Sequence, residues 1–321
     1  MSTIEDISRS FWLLGLNQIS GPKLKGIGGW ICDENYQIYT PATPTSFELS
    51  FTDSGRLLDA FAGDINRIGS ASFETVVGIM KSNVLPKSTA WLIIKTYYSA
   101  FFSAHAFLRM LGESCTSIER EQANSIGKIA KLFGTLPASP MVGGLYHLCC
   151  DMRTNKIVGT GLSGGPHEAF WRMFHDRILQ LSNDVLSLST ESLADRQLAS
   201  AKFSELAANL SFGSAGRGRW LSTVRNAVNY SQKHATWYPY SGEQKYYKQL
   251  FEKTAEWTGD PMAIDLTSHQ DKDLRRFQAT CNFIIAAFRS SACEMARRCS
   301  AGRSFHEYGA LACLNLANRA S

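Results

Sequence analysis

Apolar residues recur at helical spacing through most of this chain, and at strict alternation in only one short stretch, which predicts a mainly helical fold. Ile4, Ile7, Phe11 and Leu14 open the chain as an amphipathic helix. From Gly21 to Pro44 glycines and prolines cluster, with Trp30-Ile31-Cys32 and Gln37-Ile38-Tyr39 as short extended pieces. Phe47-Glu48-Leu49-Ser50-Phe51 alternates apolar and polar, the mark of a strand. Thr52-Asp53-Ser54-Gly55 then caps a helix running towards Ile68.

Past Pro86 the pattern turns almost wholly helical. Trp91, Ile94, Tyr98, Phe101, His105 and Leu108 form a stripe on a helix from Lys87 to Leu111, ended by Gly112. Glu119 to Phe133 is a shorter helix. Thr135 to Gly165 is a glycine- and proline-rich interruption, read as loop. Helices follow over Pro166–Leu188, Glu191–Leu210 and Arg219–Lys233, before Tyr238-Pro239-Tyr240-Ser241-Gly242 breaks the pattern. A last long helix runs from Asp271 to Cys299. Its seam of Leu274, Phe277, Cys281, Ile284, Phe288, Ala292 and Met295 approaches heptad spacing, which predicts packing on another helix or a second protomer. The expected architecture is a mixed, loop-rich N-terminal extension over residues 1–85. A helical bundle follows over 86–321, with an insertion near 135–165.

Composition narrows the class without changing this picture. Apolar residues make up 44% and charged residues 19% of 321, as in an ordinary folded protein. The net charge of +5 permits nucleic-acid contact but does not demand it. Its distribution is uneven: Arg217, Arg219, Arg225, Lys233, Lys245 and Lys248 meet only Glu243 in their stretch, and Arg289, Arg297, Arg298 and Arg303 meet only Glu294. The acidic start, Met1-Ser2-Thr3-Ile4-Glu5-Asp6, lacks the basic and apolar regions of a signal peptide. No apolar run reaches the roughly 20 residues that cross a bilayer. With eight cysteines at no repeated spacing, these features lead to an expectation of reduced thiols, a cytoplasmic location and no membrane association. His147 with Cys149-Cys150 is a poor match to zinc spacings, so no metal and no cofactor are expected.

The chemistry concentrates in Arg225-Asn226-Ala227-Val228-Asn229-Tyr230-Ser231-Gln232-Lys233-His234. At about 3.6 residues per turn, Arg225, Asn226, Asn229, Tyr230 and Lys233 share one arc, while Leu221, Val224 and Val228 form the opposite, buried stripe. A face of cations and amides without a carboxylate suits a phosphate or an RNA backbone; a solvated helix face would read the same way. Trp237 and Tyr238 offer rings on which an unpaired base can stack, or equally a plug closing the end of a bundle. His105, on an apolar stripe, is either a buried histidine with one satisfied hydrogen bond or a group that orients the Arg225 helix. Gly159-Thr160-Gly161-Leu162-Ser163-Gly164 spells the dinucleotide fingerprint, but its helical surroundings favour a flexible loop. Backbone amides at the start of the following helix, where His167 sits, can still meet an anion. Paired carboxylates, GxSxG and a Walker loop are all missing from the sequence.

Two segments together resemble the HEPN superfamily of helical-bundle proteins, many of them metal-independent bacterial ribonucleases. One is Tyr97-Tyr98-Ser99-Ala100-Phe101-Phe102-Ser103-Ala104-His105-Ala106-Phe107-Leu108-Arg109, similar to an early HEPN helix; the other is Arg225-Asn226 late in the bundle. The likeness spans Lys87 to Tyr240. The chain departs from the signature where the family has histidine: Tyr230 stands there, and His234 follows nine residues after Arg225.

What the resemblance implies is RNA cleavage through the RNA's own 2′-hydroxyl. Arg225 would clamp the phosphate, Asn226 would hold Arg225 and the backbone in place, and Tyr230 or His234 would handle the proton. Arg217, Arg219, Lys233, Trp237 and Tyr238 would contact RNA, with His105 and Asn229 supporting. The resemblance further implies a homodimer or higher oligomer, a role in bacterial anti-phage defence or a toxin–antitoxin pair, and an antitoxin or defence-system partner. The missing histidine leaves a second reading: a non-catalytic HEPN-like subunit whose surface recruits a partner.

Overall fold

The computed structural model describes residues 3–81, 88–136, 139–237, 243–267, 273–299 and 303–319. Among them lie eleven α-helices and one five-stranded antiparallel sheet, so the chain is mainly helical. In chain order the first elements are α1 (Thr3–Arg9), α2 (Ile27–Cys32), β1 (Tyr36–Gln37), β2 (Ser46–Phe51), α3 (Ser54–Lys81), α4 (Thr89–Met110) and β3 (Glu113–Ile118). Then come α5 (Arg120–Leu132), β4 (Gly144–Asp151), β5 (Lys156–Gly161), α6 (Pro166–Asp184), α7 (Leu193–Leu210) and α8 (Trp220–Asn229). The last are α9 (Glu243–Thr254), α10 (Asp273–Arg298) and α11 (Ala310–Arg319).

The centre of the molecule is α4, which packs against α3, α10, α8 and α9. It is buried over most of its circumference, so a single stripe describes it poorly; Trp91, placed on that stripe by spacing, is 54% exposed. Small residues let α3 approach it closely. The Ser72 hydroxyl donates to the Ser99 carbonyl (2.8 Å), Ser99 returns a bond to the Ser72 carbonyl (3.0 Å), and the Ser72 and Ser103 oxygens lie 2.7 Å apart. Every polar atom in that contact has a partner, as burial requires. One turn earlier on α3, Gly69 makes room for the Phe288 ring of α10 and for Ala310 of α11. At the C-terminus of α4, Gly112 takes φ +82°, a backbone state that glycine reaches without strain.

The sheet runs β1-β2-β5-β4-β3, with Glu48 opposite Val158, Leu148 opposite Gly159 and Cys115 opposite His147. Two expectations fail here. Residues 135–165 hold β4 and β5 rather than only loop, and the glycine fingerprint forms part of β5. Gly159 is glycine because a Cβ there would meet the Phe47 ring at 2.2 Å. A dinucleotide cradle needs a parallel strand feeding a helix, and this strand is antiparallel to both neighbours. Trp30-Ile31-Cys32 is likewise helical, in α2, where Trp30 and Ile31 bury against the core despite Gly28 and Gly29. Because β2 pairs with β5 and α3 packs on α4, residues 3–81 and the later described chain share one sheet and one core.

All seven seam residues of α10 are buried, and the helix packs on α4 and α1 within the chain. The basic cluster at its end is a structural network: Glu294, with its side chain 3% exposed, binds Arg9 (3.4 Å), Arg297 (2.8 Å) and Arg298. Arg303 pairs with Glu307 at 2.9 Å. Burial alone would push the Glu294 carboxyl up, but the hydrogen bond from Arg298 and the charges around it hold it below its ordinary value. No helix among the described residues is long and apolar enough to cross a membrane.

Two predictions follow from this packing. Gly69→Ala is expected to cost about 1–3 kcal/mol by forcing the Phe288 ring aside, whereas Gly78→Ala, with open space at its Cβ, should be neutral or stabilise by up to about 1 kcal/mol. Urea midpoints of the two variants decide this; equal midpoints would refute the close contact. The lowered carboxyl of Glu294 contributes stability that is complete above its unfolded value of about 4.3 and is lost as pH falls through the lower folded value. Glu294→Gln should therefore lower stability at pH 7 by about 1–3 kcal/mol and flatten the acid limb of a stability–pH curve. An unchanged acid limb would contradict the role given to Glu294.

Candidate phosphate-binding site

On α8, Leu221, Val224 and Val228 are buried, and the opposite face carries Arg225, Asn226 and Asn229, each half-buried. Arg225 leans across to α4. Its Nη2 donates to the Tyr98 hydroxyl, and its Nη1 donates to Asn226 Oδ1 at 2.8 Å. The guanidinium carbon lies 5.4 Å from the ring centres of Tyr98 and Tyr230 and 5.9 Å from that of Tyr97. These are cation–π distances. No carboxylate among the described residues bonds Arg225, and its Nε is buried without a partner. Burial works against the charge, but the Tyr98 hydrogen bond and the surrounding phenols more than offset it, so the guanidinium's pKa is raised and the charge persists.

The other wall comes from α6. Tyr97 is fully buried, and its phenol oxygen lies 2.9 Å from Trp171 Nε1 and 2.9 Å from His167 Nδ1. Burial raises the Tyr97 pKa, so the phenol keeps its proton. His167 is half-buried at the second position of α6, with its ring centre 4.6 Å from Phe101 and 5.9 Å from Tyr98. Burial first, and the charge of Arg225 second, lower its pKa and keep it neutral near pH 7.

The residues singled out by sequence do not all gather at this site. Arg225, Asn226 and Tyr230 come together, with Tyr230 71% exposed on the solvent side of the guanidinium. His234 does not join them. The helix expected to reach Lys233 ends at Asn229, and Gln232, His234 and Ala235 all take positive φ. The cause is tertiary. Trp237 Nε1 donates to the Val228 carbonyl (2.8 Å), capping α8, while the Thr236 carbonyl accepts from Ala90 N (3.0 Å) and Ser88 Oγ (3.2 Å) at the start of α4. Trp237 also packs edge-on against Trp91, so it closes the bundle end. Tyr238 lies outside the described residues.

Arg217 and Arg219 are not free of acids: α6 brings Asp176 to 2.5 Å from Arg217 and Glu168 to 3.7 Å from Arg219. Lys233 is exposed. His105 stacks on Phe170 at 3.6 Å and meets Arg109 at 3.3 Å, so it supports α6 rather than touching Arg225. Burial lowers its pKa as well.

Sequence reading gave Tyr97, Tyr98 and Trp171 no part in the site and placed His167 only near a helix start. A usable signal existed in Trp171, whose indole N–H needs an acceptor when buried, and in the adjacent Tyr97-Tyr98 pair. No protein-family model, curated protein or solved structure matches this chain.

Proposed function

We propose that this chain is a HEPN-like RNA-binding protein that grips a phosphodiester with Arg225 and cleaves the bound strand without a metal ion. It would act as a cytoplasmic effector of bacterial anti-phage defence or of a toxin–antitoxin pair. One observation carries the reading: a charged arginine, half open to solvent, is braced by tyrosines and an asparagine and left without an acid. Such a group is prepared for an anion, because its side chain is already ordered and no internal carboxylate must be displaced. Arg225 stabilises the charge that builds on phosphorus as the 2′-oxygen bonds to it and the bond to the 5′-oxygen breaks. Solvent takes the 2′-hydroxyl proton and the Tyr230 phenol gives one to the departing 5′-oxygen, leaving a 2′,3′-cyclic phosphate and a 5′-hydroxyl.

The alternative is a non-catalytic subunit that binds RNA or a partner. It draws support from α8 itself, which ends before a histidine can follow Arg225 on the same face. The α10 seam, which would serve assembly, is already filled within the fold.

Purified protein incubated with total RNA in EDTA separates the two. Cleavage that survives chelation, vanishes with Arg225→Ala and falls about 100-fold or more with Tyr230→Phe fits the enzyme. Arg225-dependent RNA binding with no cyclic-phosphate product fits the subunit. Neither binding nor cleavage would refute both RNA-dependent forms of the reading and leave only a partner-binding subunit.

A further inference from the structure

The tautomer of His167 is decided by its neighbours. An indole N–H only donates, so Trp171 Nε1 must give its hydrogen to the Tyr97 oxygen at 2.9 Å. That leaves the Tyr97 hydrogen to be placed. Within the buried surroundings of this phenol, the remaining partner among the described residues is His167 Nδ1, also at 2.9 Å. Nδ1 is therefore an acceptor and carries no proton. The imidazole proton sits on Nε2, which has no hydrogen-bond partner among the described residues. A Trp171–Tyr97–His167 relay thus presents a single N–H donor. The alternative tautomer would leave a buried phenol hydrogen unsatisfied.

The imidazole lies beside the Arg225 site. Tyr98 touches both groups, since its hydroxyl accepts from Arg225 and its ring centre lies 5.9 Å from the imidazole. The N-terminus of α6, whose dipole favours anions, lies at the same place. We propose that His167 is a phosphate-binding residue acting as a neutral donor, its Nε2–H and the Arg225 guanidinium holding one RNA phosphodiester between them. This rests on the Arg225–phosphate reading and holds whether or not the strand is cut. It gives His167 a role unlike that of a proton-shuttling histidine: it positions and neutralises without changing charge.

The titratable groups facing His167 are Tyr97, Tyr98 and His105 from α4 and Arg225 from α8, with Glu168 beside it on its own helix. Glu168 pairs with Arg219 (3.7 Å), and His105 is itself held neutral by burial. A cationic His167 would make affinity fall as pH rises through its bound pKa; a neutral donor leaves affinity flat from about pH 6 to 8.

The test uses the full chain and a 2′-O-methylated single-stranded oligonucleotide, which binds but cannot be cut through its own 2′-oxygen. Long-range proton–nitrogen spectra of the free wild-type protein at pH 7 should show His167 protonated on Nε2 alone. Binding should weaken roughly ten-fold for His167→Phe and recover largely for His167→Gln, which restores an amide donor. Wild-type affinity should not vary with pH between about 6 and 8. Tyr97→Phe, which removes the phenol hydrogen that Nδ1 accepts, should mix the tautomers. A proton on Nδ1 or on both nitrogens in the wild type would overturn the proposal. So would wild-type affinity in His167→Phe while Arg225→Ala loses binding, a result that leaves the RNA-binding function standing. Equal affinity of wild type and Arg225→Ala would sink that function and this inference together.

Discussion

A guanidinium held half inside a protein without a carboxylate is the constraint around which this structure is organised. Several other arginines of the fold meet an acid instead. Arg109 lies 3.4 Å from Asp64, and Arg9, Arg297 and Arg298 converge on Glu294. Arg276 also lacks an acid, but it is sealed between α7 and α10, bonded to Asn209 (2.9 Å) and laid over the Phe212 ring at 4.0 Å. Arg225 has the same kind of aromatic and amide support, yet one side stays open. Its surroundings keep the charge without cancelling it, and the remaining electrostatic demand is for an anion from outside.

The architecture explains how that site is assembled. Close serine-mediated packing of α3 fixes α4, and α4 presents Tyr97, Tyr98, Phe101 and His105 along the side facing α6 and α8. The sheet then sets where α6 begins, because β5 ends at Gly161 and α6 starts at Pro166. That short connection delivers His167 to the Tyr97 hydroxyl. The α8 helix is cut off by Trp237 bonding its Val228 carbonyl, which leaves Tyr230 at the lip of the site. Residues of α4 and of the start of α6, distant in sequence, therefore gather around one arginine of α8.

Much of this was readable from local pattern, and what was missed has physical causes. Leu221, Val224 and Val228 sit at helical spacing, so the orientation of Arg225 followed from periodicity alone. The end of α8 did not, since no glycine or proline marks it; non-glycine residues at 232, 234 and 235 take the left-handed state because Thr236 and Trp237 are tied to neighbouring elements. β5 was hidden by glycines that read as loop, although Gly159 exists to admit Phe47. β4 alternates in burial, with Tyr146 and Leu148 inward, but Leu145-Tyr146-His147-Leu148-Cys149-Cys150 does not alternate apolar and polar, so the strand left no local signal. His167 was legible only as a residue at a helix start that can meet an anion; its link to Tyr97 and Arg225 is a tertiary fact with no sequence spacing.

The central claim is that Arg225 makes an ionic contact with an RNA phosphate, and the salt dependence of binding tests it most directly. Each phosphate neutralised on a single strand contributes about 0.7 to the slope of log affinity against log salt concentration. Arg225→Ala should weaken binding to oligoribonucleotides of unrelated sequence by similar factors and reduce that slope by roughly this amount. A slope identical to that of the wild type would show that no phosphate meets Arg225, and would contradict the account.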